Sequence, residues 1–450
     1  MRQRDVLWFW LPLFASWLLM TAEGPVISAA INRLPNEVVM LAAQGIVISL
    51  AVTIESPIIN MLATSTALVR DRASYLLVRR FTIHWAIFLT LVTVAIAFTP
   101  LFDVVVVDWL DAPPAVSVWV RPGLRLMTLW SAAIAWRRFL QGVLIRFNQP
   151  RQLAYGTAIR LVTSGSVVIG LALWTEWPGV ISGATALMAG VIAEAIYATV
   201  AVRPLLKHQL SAEAPPAAGE PLTYRDLFWF HLPLASTSLL VLLAQPLVTF
   251  SLARLDQPTE SLAAWPVVFQ IMLMARAAAL ALPEAVIALT NGPETYRPLR
   301  RFSFNLAAGL TLLMALFIFS PAADFYLFVV QDMTALVGAL AESSLALFLF
   351  FPALATITSW LRGLLINRRV TREVNVGMAL NLVTTGLILA IGLANRWPGL
   401  PAAAIALNAA SLVEILYLGW RTQRILPEAV PLPGLGKASL IRKRRLEIGD

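Results

Sequence analysis

A pattern that returns after 221 positions constrains this chain more than any other feature. Trp8-Phe9-Trp10-Leu11-Pro12-Leu13 is followed by Glu23-Gly24-Pro25 and Arg33; the second copy reads Trp229-Phe230-His231-Leu232-Pro233-Leu234, then Gln245-Pro246, then Arg254. The register holds through Tyr75 and Tyr296, Arg79-Arg80-Phe81 and Arg300-Arg301-Phe302, Asp103 and Asp324, and Gly142 and Gly363. After a one-residue slip, Trp177-Pro178-Gly179 matches Trp397-Pro398-Gly399, and Glu194 and Tyr197 match Glu414 and Tyr417. The chain is therefore two homologous halves.

Composition decides what kind of halves these are. With 59% hydrophobic residues, 13% charged and a mean hydropathy of +0.76, the chain has too little polar surface to cover a water-soluble fold of 450 residues. An all-α polytopic membrane protein is expected, because a spanning segment must satisfy its own backbone hydrogen bonds. A net charge of +9 would suggest nucleic acid in a soluble protein. Here the basic residues stand in short gaps between apolar stretches, where they act as topology signals, so the expected partner is the lipid bilayer and not nucleic acid. The absence of cysteine removes any disulfide framework, thiolate chemistry or cysteine metal site. His84, His208 and His231 are far apart in sequence, and no nucleophile stands at usable spacing from a base. A membrane-embedded enzyme is the disfavoured alternative, and no cofactor or metal is expected.

Twelve apolar stretches are long enough to cross the roughly 30 Å hydrocarbon layer. They are predicted at residues 6–32, 38–68, 81–100, 122–146, 152–174 and 179–202 in the first half, and 226–252, 260–289, 302–320, 338–366, 373–394 and 400–420 in the second. This divides the chain into a six-helix repeat (1–207), a linker rich in Ala, Pro and Glu (208–223), a second six-helix repeat (224–425) and a basic tail (426–450) ending Arg442-Lys443-Arg444-Arg445. Arg70, Arg72, Arg79, Arg80, Arg146, Arg151, Arg297, Arg300, Arg301, Arg368 and Arg369 lie in one set of gaps, against Asp103, Asp108, Asp111, Asp324 and Asp332 in the other. Both termini are therefore expected in the cytoplasm, with the chain multi-pass in the plasma (inner) membrane and monomeric. An even number of spans per half gives both copies one orientation. The expected relation is a pseudo-two-fold axis along the membrane normal, with a cleft between the halves.

The paired 6+6 arrangement with a Pro-bent first helix in each half resembles the multidrug/oligosaccharidyl-lipid/polysaccharide exporter superfamily, which includes the MATE exporters and lipid-linked flippases. Within it, Ile31-Asn32-Arg33 with Met40-Leu41-Ala42, Phe228-Trp229-Phe230 with Pro233-Leu234-Ala235 and Gln245-Pro246-Leu247-Val248, and Gly142-Val143-Leu144 look most like the progressive ankylosis protein family. The superfamily resemblance implies export by alternating access. The narrower one implies an anionic cargo such as citrate, pyrophosphate or nucleotide. A flippase for a lipid-linked precursor and an ion-coupled multidrug exporter are the alternatives, with coupling to H+ or Na+.

Charges near helix centres are costly and usually face an aqueous cavity or a partner. Glu23, Glu55, Arg137, Arg160 and Arg276 are the candidate cavity residues, with Asn381 standing in the second half where Arg160 stands in the first. Their sum leans positive, and a guanidinium attracts carboxylates and phosphates, so a small anionic substrate is expected. Glu55 and Arg276 are equivalent by the repeat, and are expected to face each other and pair when the cleft closes, or else to pair or snorkel within their own halves. Arg137 and Arg138 are about 100° apart on a helix, so at most one is expected at the cleft and the other at the headgroups. Arg125 and Arg362 are expected at the interface, and Glu194 and Glu414 against Arg-rich loops. Gly24, Pro25 and Pro246 are the expected helix hinges, Gly24 by adding slack and the prolines by removing a backbone donor. Either the kink is static, or Glu23 titrates and its protonation changes the bend.

Overall fold

A computed structural model describes residues 2–211, 221–290, 292–368 and 370–429. The basic end of the tail and most of the linker lie outside the described residues. Regular structure within them is helical, apart from one isolated bridge between Asp256 and Pro398. The first half holds α1 (Gln3–Ile31), α2 (Glu37–Leu68), α3 (Arg72–Phe98), α4 (Pro114–Leu126 with Trp130–Arg146), α5 (Arg151–Trp174) and α6 (Gly179–His208). The second holds α7 (Tyr224–Leu252), α8 (Pro258–Ala275 with Ala277–Leu289), α9 (Pro293–Ile318), α10 (Ala335–Phe348 with Phe351–Asn367), α11 (Thr371–Ala394) and α12 (Gly399–Ile425).

Nine of these are long and apolar enough to span a membrane, and counting α8 and α10, bent by 53° and 47°, gives eleven. The remaining predicted span is α4. It falls short of that test because Arg121, Arg125, Arg137 and Arg138 lie along it and it is interrupted between Leu126 and Trp130. α3 and α9 begin earlier than their apolar runs. Their first turns are amphipathic, and Asp71 caps α3 by accepting from the Ser74 backbone N–H.

Breaks in four helices organise the interior. α1 is interrupted at Ala22 and α7 at Leu243. Pro25 and Pro246 each lack the N–H that would bond to the carbonyl four residues earlier. α2 is interrupted after Glu55 by a single tight turn, Ser56–Ile58, containing Pro57, and α8 is interrupted at Arg276. The breaks in α2 and α8 therefore fall on equivalent positions of the repeat, each carrying a charge.

The halves interlock at these breaks. The first piece of α1 packs on α8 and α9 of the opposite half, while its second piece packs on α5 and α6 of its own. The first piece of α7 packs on the broken part of α2, and its second piece on α11, α12 and the outer piece of α2. Equivalent hydrogen bonds fix both crossings: Trp10 Nε1 donates to the Ala278 carbonyl at 3.0 Å, and His231 Nε2 lies 2.9 Å from the Pro57 carbonyl. His231 Nδ1 is then 2.8 Å from Thr64 Oγ1, which can donate to it.

Candidate functional site

Between the halves lies a cavity of about 560 Å³. Its charged lining is Glu23, Glu55, Arg137, Arg138 and Arg160 from the first half, and Arg276, Arg362 and Glu414, with Asn381, from the second. In the first half Arg160 grips Glu23 with two bonds, Nε to Oε1 at 3.0 Å and one terminal nitrogen to Oε2 at 2.5 Å. Its other terminal nitrogen lies 4.0 Å from Glu194. Glu194 is fully buried and accepts from Arg137 at 2.7 Å and from Gln141 at 2.9 Å. The second half repeats this around Glu414, which accepts from Arg362 at 2.7 and 2.5 Å and from Asn381 at 3.0 Å. Gln141 and Arg362 are equivalent in the repeat, as are Arg160 and Asn381.

Three charged groups stand outside these pairs. Among the described residues, Arg138 and Arg276 make no hydrogen bond or ion pair, and the Nε of each is buried without a partner. Glu55 Oε2 is likewise buried and unpartnered. Glu55 lies in the field of Arg137, Arg160 and Arg138, whereas the charge acting on Arg276 is that of Arg362. The first half thus balances three carboxylates against three guanidinium groups, and the second sets two guanidinium groups against Glu414 alone. Among the described residues of the cavity lining, Arg138 has carboxylates in its field and Arg276 has none, which leaves Arg276 uncompensated. It also sits at the C-terminal end of an 18-residue helical piece, where the helix dipole favours positive charge.

At the end of the molecule remote from the chain termini the cavity is shut. The first pieces of α2 and α8 pack against each other, and two equivalent arginines bridge the halves above them. Arg33 donates to the Val329 and Val330 carbonyls, both at 3.0 Å; Arg254 donates to those of Leu110 at 2.8 Å and Trp109 at 2.6 Å. These acceptors end two short π-helices, Asp103–Trp109 and Phe325–Val330, that are themselves equivalent in the repeat. Below them Ser28 bonds Gln270 at 2.9 Å and Thr249 bonds Ser49 at 3.3 Å. At the opposite end the second pieces of α2 and α8 pack mainly against α4 and α10 of their own halves, and also meet the first pieces of α7 and α1.

Against this geometry, solved structures give a consistent likeness. An inward-facing structure of a multidrug resistance MATE family transporter of the MOP superfamily aligns over 91% of this chain and 95% of its own, with a TM-score of 0.71 and 14% identity. The chain has the fold of the MATE-type transporters. A MOP superfamily transporter from Pyrococcus furiosus, described by a binding pocket of reverse polarity, aligns over 95% and 96% at a TM-score of 0.63 and 13% identity. The lipid II flippase MurJ in an inward closed conformation aligns over 92% and 87%, at 0.63 and 12%. No family model matches the chain, and no curated protein matches it by sequence.

Within this MATE-type fold, several sequence expectations change. Glu194 and Glu414 do not contact Arg-rich loops; they lie inside the membrane region as the hubs of the two networks. Arg362 is not interfacial, because Glu414 holds it at the cavity wall. Arg137 and Arg138 both line the cavity, since it wraps around that side of α4. Glu55 and Arg276 line it without pairing. Gly24 also has a packing role: a Cβ there would stand 3.0 Å from the Gln270 side chain, so the glycine lets α8 approach α1. Trp265 lines the cavity, Trp136 donates to Thr199 and Trp360 packs on Phe304. Arg125 bonds the Ala97 carbonyl near the remote end.

Proposed function

We propose that this chain is a secondary active exporter that carries a small organic or phosphate-containing anion across the plasma membrane by alternating access between its two six-helix halves. The observation that supports it most directly is Arg276: a partly buried guanidinium on a largely apolar cavity wall, with no carboxylate partner among the described residues. A charge left unpaired in such surroundings is costly, and an anionic cargo relieves that cost. A cationic drug would add to it. The likeness to MATE-family and MOP-superfamily transporters supports a membrane exporter. If the termini are cytoplasmic, as the basic gaps imply, a cavity shut at the end remote from them supports a carrier that faces its supply of cargo.

A lipid-linked cargo is the second reading, favoured by the likeness to the MurJ flippase. Two bridged seams weigh against it. A headgroup entering sideways must pass between α1 and α8 or between α2 and α7, yet Trp10 bonds across the first, and His231 and Asn60 across the second, with Asn60 Nδ2 2.8 Å from the Leu234 carbonyl. The test is release of small anions from cells expressing the wild type or Arg276→Gln, followed by mass spectrometry. An anion accumulating in the medium only with the wild type is expected. Unchanged anions, with lipid-linked precursors building up when the chain is removed, would transfer the case to the flippase.

A further inference from the structure

The wall that holds Arg276 also says what the rest of the cargo looks like. Trp265, Phe269, Leu273 and Arg276 all line the cavity from α8, and their spacing places them on one helix face. Trp265 and Phe269 rings lie 5.6 Å apart, and the Arg276 guanidinium stands 5.9 Å from the Phe269 ring centre. The equivalent stripe on α2 reads Gln44, Ile48, Val52 and Glu55, with no ring. The aromatic pair and the uncompensated cation therefore belong to the same half and the same face.

This surface suits few anions. Phosphate and citrate are strongly hydrated and need a ring of donors to replace their water; Gln270, Thr358, Ser359 and Arg362 also line the cavity, and what sets the Arg276 wall apart is the half-buried Phe269 ring beside the guanidinium. A flat ring beside the anionic group would cover Phe269 while its carboxylate meets the guanidinium, satisfying both features at once. We infer that the cargo is an aromatic organic acid, its carboxylate at Arg276 and its ring against Phe269, which the buried Trp265 backs from the core. This presupposes the anion export proposed above and narrows it to one chemical class.

Binding of 2-naphthoate, acetate, citrate and inorganic phosphate to the purified full chain in nanodiscs, followed by calorimetry, separates the two claims. Naphthoate is expected to bind at least tenfold more tightly than the other three, and to lose that binding in Arg276→Gln. In Phe269→Leu its preference over acetate is expected to fall several-fold, up to about tenfold, the scale of one aromatic contact. Thermal unfolding of each variant verifies that it is folded, and Phe269→Met serves in place of Phe269→Leu if the latter is not. Equal or tighter Arg276-dependent binding of citrate or phosphate overturns the aromatic class and leaves anion export standing. Naphthoate binding that survives Arg276→Gln, or a preference unmoved by either ring substitution, also overturns it. Failure of all four anions to bind overturns both claims.

Discussion

At Glu194 the chain stakes folding on a single carboxylate. Its side chain is 1% exposed and its partner Arg137 is 5% exposed, whereas Glu414 pairs with an Arg362 that is 25% exposed. Removing one partner of a buried pair leaves the other charged and dry, at a cost of about 3 kcal/mol or more, while a partner that reaches an open cavity recovers part of it from water. Glu194→Gln is therefore expected to lower the unfolding temperature in detergent clearly more than Glu414→Gln. The Glu23–Arg160 contact lends itself to a mutant cycle. Glu23→Ala and Arg160→Ala should each reduce folded yield or transport, and the double variant should lose less than the two losses combined, because each single change strands a charge. If the losses simply add, the two-bond contact is not an energetic unit. The sequence showed that Glu194 and Glu414 recur, which marks a shared role. It did not show their partners, because Arg137 is 57 positions away and Arg362 is 52, and helix rotation decides which arginines reach them.

Between elements, the tightest contact is where α2 meets α4. A Cβ at Gly142 would lie 1.9 Å from Ser65 Oγ and 2.4 Å from the Leu62 carbonyl, so the second piece of α2 and α4 touch backbone to side chain. Ser65 could swing aside; the carbonyl could not. Gly142→Ala is expected to abolish folded protein, measured as monodisperse material on size exclusion, while Gly419→Ala, with nothing within 4 Å, behaves as wild type. The recurrence of glycine at 142 and 363 was visible in the sequence, and so were the prolines that interrupt α1 and α7. The breaks in α2 and α8 were much less legible. Pro57 marks the first, but α8 is interrupted at Arg276 with no proline in the preceding or following turn, and the nearest proline beyond it, Pro283, follows a second interruption at Ala281.

Across the whole molecule, the two arginine bridges at the remote end predict how the cavity opens there. Arg33→Gln with Arg254→Gln removes four inter-half hydrogen bonds to carbonyls. Since the chain has no cysteine, Ile48→Cys supplies one thiol on the cavity wall. Labelling of that thiol by a membrane-impermeant maleimide in the outside medium is expected to rise in the double variant; equal labelling would mean that the α2–α8 packing alone keeps the end shut. Equivalence of positions 33 and 254 in the repeat pointed to a common task for both arginines, although their acceptors are carbonyls that no residue type announces. The crossing of α1 and α7 has a mechanical meaning as well. The first piece of α1 is fastened by Trp10 to the turn just beyond Arg276 in the second half, and its second piece bears Glu23, clamped by Arg160 of its own half. α1 is thus a lever with its fulcrum at Ala22: a load taken up on one side of the cleft is delivered as torque to the ion pair on the other.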